Sequence, residues 1–320
     1  MTARTLPGSR RWSGSWARAR RAEDPAPEPE VDVLVPTVGR TAELATTLSG
    51  LAAQEDPPFR VILSDQSDGP PAWEAPAVSA MVRVLRAEGR PVELHRRLPR
   101  RGLADHRQFL LDRARAGAVL FLDDDVWLEP GALSRMHDAL RSLGCGFVGS
   151  AVQGLSYLED DRPEQRAPFA PWHEGVQPET VGPGSEAFGR WTLHNAANLV
   201  HLAGELDLRR DSWLAYRVAW VGGCVLYDRR ALEESGGFDF GVDLPVSHVG
   251  EDVLAQWRVM ARFGGAGLLP SGAVHLEAPT TLPDRTMDLP HLIAVAHDAP
   301  ASEAGGGRRT NESEQKEDPR

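Results

Sequence analysis

Three consecutive carboxylates, Asp123-Asp124-Asp125, stand directly after the short apolar run Ala118 to Leu122. Like charges packed this closely repel one another and need a counter-charge. A divalent cation is the usual partner, because hard oxygen ligands suit Mg2+ or Mn2+ and the metal can then carry the phosphates of a substrate. The same tripeptide also fits a solvated acidic turn. Two familiar phosphate-binding devices are missing. After the first apolar run stands Pro36-Thr37-Val38-Gly39-Arg40, where a dinucleotide-binding fold would place several glycines, and no Gly-Lys-Ser/Thr occurs anywhere.

The acidic triplet needs elements to hold it, and hydrophobic periodicity supplies them. Strand-like runs at Val31 to Val35, Phe59 to Ser64, Val92 to His95 and Ala118 to Leu122 alternate with helical patterns at Thr41 to Gln54, Ala75 to Glu88 and Leu103 to Ala116. This alternation predicts an α/β fold whose central sheet is largely parallel. Ligands of such sheets sit beyond the carboxyl ends of the strands, near a switch in strand order. Thr37, Asp65 and Asp123 to Asp125 each follow a strand, so the pattern puts them on one rim.

The second half is less regular. A polar, Pro- and Trp-rich stretch at 153–190 reads as an insertion or a lid. Trp220 to Tyr227 reads as a strand, Arg229 to Ser235 as a short helix and Glu251 to Phe263 as an amphipathic helix, with Ala266 to Leu269 leading to His275. His194 and His201, seven apart, could share a helix face. Segments 1–30 and 299–320 have compositions that cannot form a packed core and read as tails. The expected organisation is therefore a first half at 31–150 and a second at 151–298 between them.

Composition narrows the partners. The 320 residues carry 46 acidic and 35 basic side chains, a net charge of -11, which argues against a nucleic-acid surface. An anionic substrate stays compatible if a metal neutralises it locally. Two cysteines, Cys145 and Cys224, give neither a disulfide framework nor zinc-ligand spacing, so a reducing cytoplasm is the expected compartment and both are read as small buried residues. No apolar stretch reaches the ~18 residues of a membrane span. Trp12 and Trp16 among arginines leave room only for a weak peripheral membrane contact.

In order along the chain, Val33-Leu34-Val35-Pro36-Thr37, Leu63-Ser64-Asp65, Phe121 to Asp125, Gly222-Gly223, Gly236-Gly237-Phe238-Asp239 and Gly250-Glu251-Asp252 resemble family 2 glycosyltransferases of the GT-A type, from about Val31 to His275. The resemblance implies a Rossmann-like GT-A sandwich with a smaller acceptor-side region, and a nucleotide-binding half followed by an acceptor-binding and catalytic half. It further implies metal-dependent, inverting transfer, with Mn2+ or Mg2+, from a nucleotide-diphospho-sugar of the UDP, dTDP or GDP type. The acceptor would be a hydroxyl on a glycan, a lipid-linked carrier or a small molecule.

By the same resemblance, Pro36, Thr37 and Arg40 belong to the nucleotide pocket, Asp65 contacts the base and Arg107 lies near the nucleotide. A carboxylate at Asp65 would favour bases with a ring N–H, although Asp65 also suits a turn after a strand. Asp123 is implied at the ribose and metal, Asp124 near the sugar or metal, and Asp125 with His275 on the metal. Gly222 and Gly223 would let backbone approach the donor sugar, or mark a bulge. Transfer to a hydroxyl needs a base. The family pattern favours Asp252, with Glu251 orienting the acceptor or capping the helix; acids at a helix start are also favoured by its dipole alone. Two other readings stay open: a nucleotidyltransferase on a related sheet, and a catalytically silent partner that binds a nucleotide-sugar or glycan.

Overall fold

The computed structural model of the chain describes residues 27–208, 212–240 and 246–280. Both tails expected from composition, with Trp12 and Trp16, lie outside the described residues except for 27–30. The strands are β1 (Val31–Thr37), β2 (Phe59–Asp65), β3 (Val92–Arg96), β4 (Ala118–Leu122), β5 (Val126–Leu128), β6 (Phe147–Gly149), β7 (Gln153–Gly154), β8 (Leu214–Tyr216), β9 (Cys224–Asp228), β10 (Gly265–Leu269) and β11 (Ala273–His275). The helices are α1 (Thr41–Ala52), α2 (Pro76–Ala87), α3 (Leu103–Leu111), α4 (Ala132–Leu143), α5 (Pro163–Arg166), α6 (Asn198–Glu205), α7 (Arg229–Glu234) and α8 (Glu251–Phe263).

Among the described residues, eight strands form one sheet in the order β3-β2-β1-β4-β9-β6-β10-β8. The first four are parallel; β9 runs against both β4 and β6, and β8 against β10. β1, β2 and β4 are buried along their whole length, which is why they read as unbroken apolar runs rather than as alternation. Val31, Val33 and Val35 face one core with Leu44, Leu48 and Leu51 of α1. Leu34, Ile62 and Phe121 face a second core with Leu110 and Met260 of α3 and α8. The sheet is thus covered by helices on both sides, as the α/β pattern predicts.

Chain order also places the rim. Thr37 pairs with Asp65 at the ends of β1 and β2, and β4 runs beside β1 up to Leu122. Because β9 is antiparallel to β4, Cys224 pairs with Leu122, so Gly222-Gly223 reach the same rim from the opposite direction. A small sheet, β5-β11-β7, closes one side; its register sets His275 against Val126, and the Leu276 N–H donates to the Asp125 carbonyl at 2.9 Å.

Two boundaries differ from the sequence expectation by more than two residues. The helix expected to run to Ala116 stops at Leu111. The reason is Asp32, fully buried in β1, whose carboxylate accepts from the Arg115 and Ala116 N–H groups at 2.6 and 2.9 Å and also pairs with Arg60. The strand expected from Trp220 begins only at Cys224. Val221 donates to and accepts from the Gln256 side chain of α8, at 2.7 and 2.8 Å, so its backbone is committed before the ladder starts. His194 and His201 do not share a helix. His194 lies in a 3-10 segment against the Tyr216 hydroxyl, and His201 lies on α6 against the Leu158 carbonyl.

The 153–190 stretch is mostly irregular, yet it is tied to the body. Trp172 N–H donates to the Ala215 carbonyl, Arg217 N–H to the Ala170 carbonyl, and Glu179 N–H to the Met260 carbonyl. Phe188 packs on Trp220 and Trp257. Cys145 and Cys224 are free and buried, and no helix of the described residues is long and apolar enough to cross a membrane.

Candidate active site

Beyond the carboxyl ends of β1 and β4 lies a cleft of about 580 Å³, within the usual range for a small-molecule site. One wall carries Asp123, Asp124, Asp125 and His275; the other carries Glu251 and Asp252 at the start of α8. Pro36, Thr37, Arg40, Arg107, Gly222 and Gly223 also line it. Asp125 and Asp252, 127 residues apart in sequence (252 − 125), therefore face one cavity. A larger hollow of about 860 Å³ sits at the other end of the sheet, against Gly117, Ala118 and Cys145. It contains none of the candidate residues and lies on the side where α/β sheets do not place ligands.

The triplet divides its work. Asp124 is buried; its carboxylate accepts from the Thr37 hydroxyl at 2.6 Å and from Arg40 at 3.1 Å, while its carbonyl accepts from the Thr47 hydroxyl. Burial pushes this carboxyl up to about 7, against the opposing pull of Thr37 and Arg40. Asp125 accepts from Arg40 at 2.5 Å and stands 3.5 Å from His275 Nε2. Its pKa is likewise raised, by burial first and then by Asp123. Asp123 turns the other way and pairs with Arg107 at 3.0 Å.

Arg40 also donates to the Pro279 carbonyl, so its guanidinium fastens the segment after β11 to the acidic pair. Burial lowers its pKa, but Asp125 and Asp124 outweigh that effect and hold it above the ordinary guanidinium value. Asp125 and His275 offer an oxygen and an imidazole nitrogen on the same side of the cleft, a donor pair suited to Mn2+. Among the described residues no three carboxylate, imidazole or thiolate groups converge to hold a metal alone. The two donors thus fit a cation whose remaining ligands come from phosphate and water.

Arg107 is the buried centre of the other wall. Its Nε donates to Glu251 at 2.9 Å and its terminal nitrogen to Asp123 at 3.0 Å. Burial alone would favour the neutral form, but Asp123, Glu251 and Asp252 hold the pKa well above the usual value, so it stays charged. Glu251 is itself buried and spends its carboxylate on Arg107. Asp252, half-buried beside it, accepts from the Val253 N–H at its own helix start at 2.9 Å. Desolvation, then the Glu251 charge, raises its pKa to about 7.

Asp65 is where the rim geometry and the expected role part. It is fully buried and absent from the cleft lining; its oxygens accept from Ser67 N–H, Ser67 hydroxyl and Ala72 N–H at 2.5 to 2.6 Å. In this structure it shapes the turn after β2. Gly223 adopts φ +75°, and a Cβ there would sit 2.9 Å from Val152; Gly222 faces open space. Gly102, with φ +95°, lets His248 approach α3, where its Nε2 accepts from Ala104 N–H at 3.0 Å. Gly236-Gly237 close α7, and Phe238 meets the Phe121 ring edge-on. Trp220 lines the cleft as well. Gln66, His106 and Leu103 line it without having been singled out, although Gln66 and His106 are immediate neighbours of Asp65 and Arg107.

The model of glycosyl transferase family 2 matches residues 32–200, just over half of the chain. The chain belongs to the family 2 glycosyltransferases. No curated protein sequence matches it. Among solved structures it is similar to S. aureus TarS 1-349, at 14% identity over 77% of this chain and 60% of that one, with TM-score 0.50. The same protein in complex with UDP-GlcNAc aligns at 14% identity over 79% of this chain and 60% of that one, with TM-score 0.51. A mannosyltransferase from Pyrobaculum calidifontis, in complex with GDP-Man and Mn2+, aligns at 18% identity over 84% and 66% with TM-score 0.49, a likeness too distant to bear on chemistry. The family 2 chain thus shares the GT-A fold of TarS while spanning about 60% of the TarS length.

Proposed function

We propose that the cleft carries out metal-dependent, inverting transfer of a sugar from a nucleotide-diphospho-sugar to a hydroxyl acceptor. The observation that supports this most is the convergence of Asp125 and His275 with Asp252 on one cavity of about 580 Å³. Asp252 takes the proton from the acceptor hydroxyl; the acceptor oxygen bonds to the anomeric carbon as the bond to the diphosphate oxygen breaks on the opposite face, which inverts configuration. A raised pKa makes Asp252 a stronger base than an ordinary aspartate while leaving it half ionised near pH 7.

Asp125 and His275 would hold Mn2+ or Mg2+, which supplies positive charge to the departing diphosphate. Asp123 has about a third of its side chain exposed in the cleft and is oriented by Arg107, which suits contact with ribose hydroxyls. Gly222 and Gly223 leave space for the sugar beside Asp123, whose N–H donates to the Gly223 carbonyl at 2.9 Å. Glu251 acts by holding Arg107 and not by touching the acceptor. Pro36, Thr37 and Arg40 line the nucleotide side, and Asp65 acts behind them by shaping the loop. TarS holds UDP-GlcNAc, a donor of the proposed class.

The test is a panel of UDP-, dTDP- and GDP-sugars with Mn2+ and mixed hydroxyl acceptors. Release of nucleoside diphosphate that depends on acceptor, with a product of inverted anomeric configuration, is the expected result. Binding with no release in any combination would mark a silent binding partner, and release of pyrophosphate from a nucleoside triphosphate would mark a nucleotidyltransferase.

A further inference from the structure

Two buried side chains that border the cleft carry nitrogens with no hydrogen-bond partner. Gln66 is 2% exposed and its Nε2 has no partner; His106 is 0% exposed and neither ring nitrogen makes a hydrogen bond. Both border the cleft, together with Pro36, Thr37 and Leu103. Unmet buried polar groups are scarce in native proteins, and two on one wall of a ligand cleft mark a place that a ligand completes.

Their positions come from separate elements. Gln66 follows β2, and its backbone N–H donates to the Thr37 carbonyl at 3.0 Å, which sets its side chain beside the end of β1. His106 projects from α3, one residue before Arg107. Asp65, the residue before Gln66, has no free oxygen, because the turn to Ala72 takes both.

We infer that Gln66 and His106 read the nucleobase of the donor and select bases that present a carbonyl beside a ring N–H, which are uracil, thymine and guanine. The inference rests on the proposed use of the cleft by a nucleotide-sugar. The amide nitrogen of Gln66 can only donate, so it requires a carbonyl oxygen. Burial, then the neighbouring Arg107 charge, depresses the His106 pKa to about 4, so the ring is neutral and has one donor and one acceptor nitrogen. The Ser64 carbonyl lies near enough to favour a proton on the ring, without reaching hydrogen-bond geometry. That leaves the other nitrogen as an acceptor for a ring N–H. Cytosine and adenine present an amino group and a bare ring nitrogen at the same places, so donor would meet donor and lone pair would meet lone pair.

UDP and CDP differ only along this edge, and GDP and ADP differ chiefly there. Calorimetric titration of the full chain with each nucleoside diphosphate in MnCl2 should show the carbonyl-bearing member of the preferred pair bound about tenfold more tightly or better. Gln66→Leu and His106→Phe should bring that ratio to within about threefold, while the ligand-free melting temperature stays level or rises, since an unmet polar group has been removed. Gln66→Glu, nearly isosteric, should shift preference toward the amino-bearing base even if the other variants fold poorly. Unchanged ratios in the folded variants, or a wild-type chain that binds UDP like CDP and GDP like ADP, would overturn the assignment of these two residues alone. Failure of every nucleoside diphosphate to bind would overturn the donor reading and this inference together.

Discussion

Asp252 and Arg107 carry opposite burdens in the cleft. The Asp252 pKa is raised to about 7, so its protonated form is favoured by the fold, and its ionisation costs stability as pH rises from about 4, the unfolded value, to about 7. As the proposed base it would have to be ionised, so kcat/KM should climb about tenfold per pH unit below 7 and level off above it. Asp252→Asn should lower kcat by roughly 10²–10⁴-fold, abolish that pH dependence, leave donor affinity nearly intact, and raise the melting temperature above pH 7. A full-activity Asp252→Asn enzyme would remove it from the mechanism. Arg107→Leu is the reverse case. It strands Glu251, which is buried with Arg107 as its charged partner, and should cost about 3–5 kcal/mol of unfolding free energy by urea titration.

At the scale of elements, the site depends on α8 being fixed to the segment that precedes β9. Gln256 does this with two hydrogen bonds to Val221, supported by Trp257 donating to the Ala219 carbonyl at 3.0 Å. Gln256→Leu keeps the volume close but leaves a buried N–H and carbonyl unmet, so a loss of about 2–4 kcal/mol is expected in denaturant unfolding. Because Val221 leads into Gly222-Gly223, kcat should fall while nucleotide affinity on the Pro36–Thr37 side changes little. Equal losses in both would mean that α8 and β9 do not form a separate acceptor wall. Asp32 shows the same logic on the fold alone: one buried carboxylate ends α3 and starts β4 by taking two backbone N–H groups.

Over the whole molecule the charge balance is -11, and the proposed anionic donor would enter a cleft already crowded with carboxylates. On the proposed reading Asp125 and His275 would be the protein donors of a cation that takes its remaining ligands from the diphosphate, so metal and nucleotide should bind with positive coupling. Titrating free Mn2+ by its electron paramagnetic signal should show weak binding alone and at least about fivefold tighter binding with UDP or GDP present. Arg40→Ala should narrow that gap, since Arg40 otherwise competes for the Asp125 oxygen. Independent binding of the two ligands would sink the shared site.

Periodicity and chain order made much of this legible. Buried parallel strands leave continuous apolar runs, and a run ending in Thr37, Asp65 or Asp123 puts each residue on the same rim whatever the side chains then do. The acidic triplet, Glu251-Asp252 and His275 could be picked out because their types at those strand and helix ends suit one chemistry. Which of them bond to one another could not. Asp65 turned inward to its own loop, Arg107 bridges Glu251 and Asp123 from within the cleft lining, and Arg40 closed on Asp124 and Asp125. Gln66 and His106 stood unmarked because an unmet hydrogen bond exists only once the neighbours are in place. Sequence alone determined the elements, their order and the residues at their ends, since these follow from local pattern. The pairing of charges across the cleft was decided by the tertiary structure, because partners 144 residues apart, such as Arg107 and Glu251, meet only when α3 and α8 pack on the same sheet.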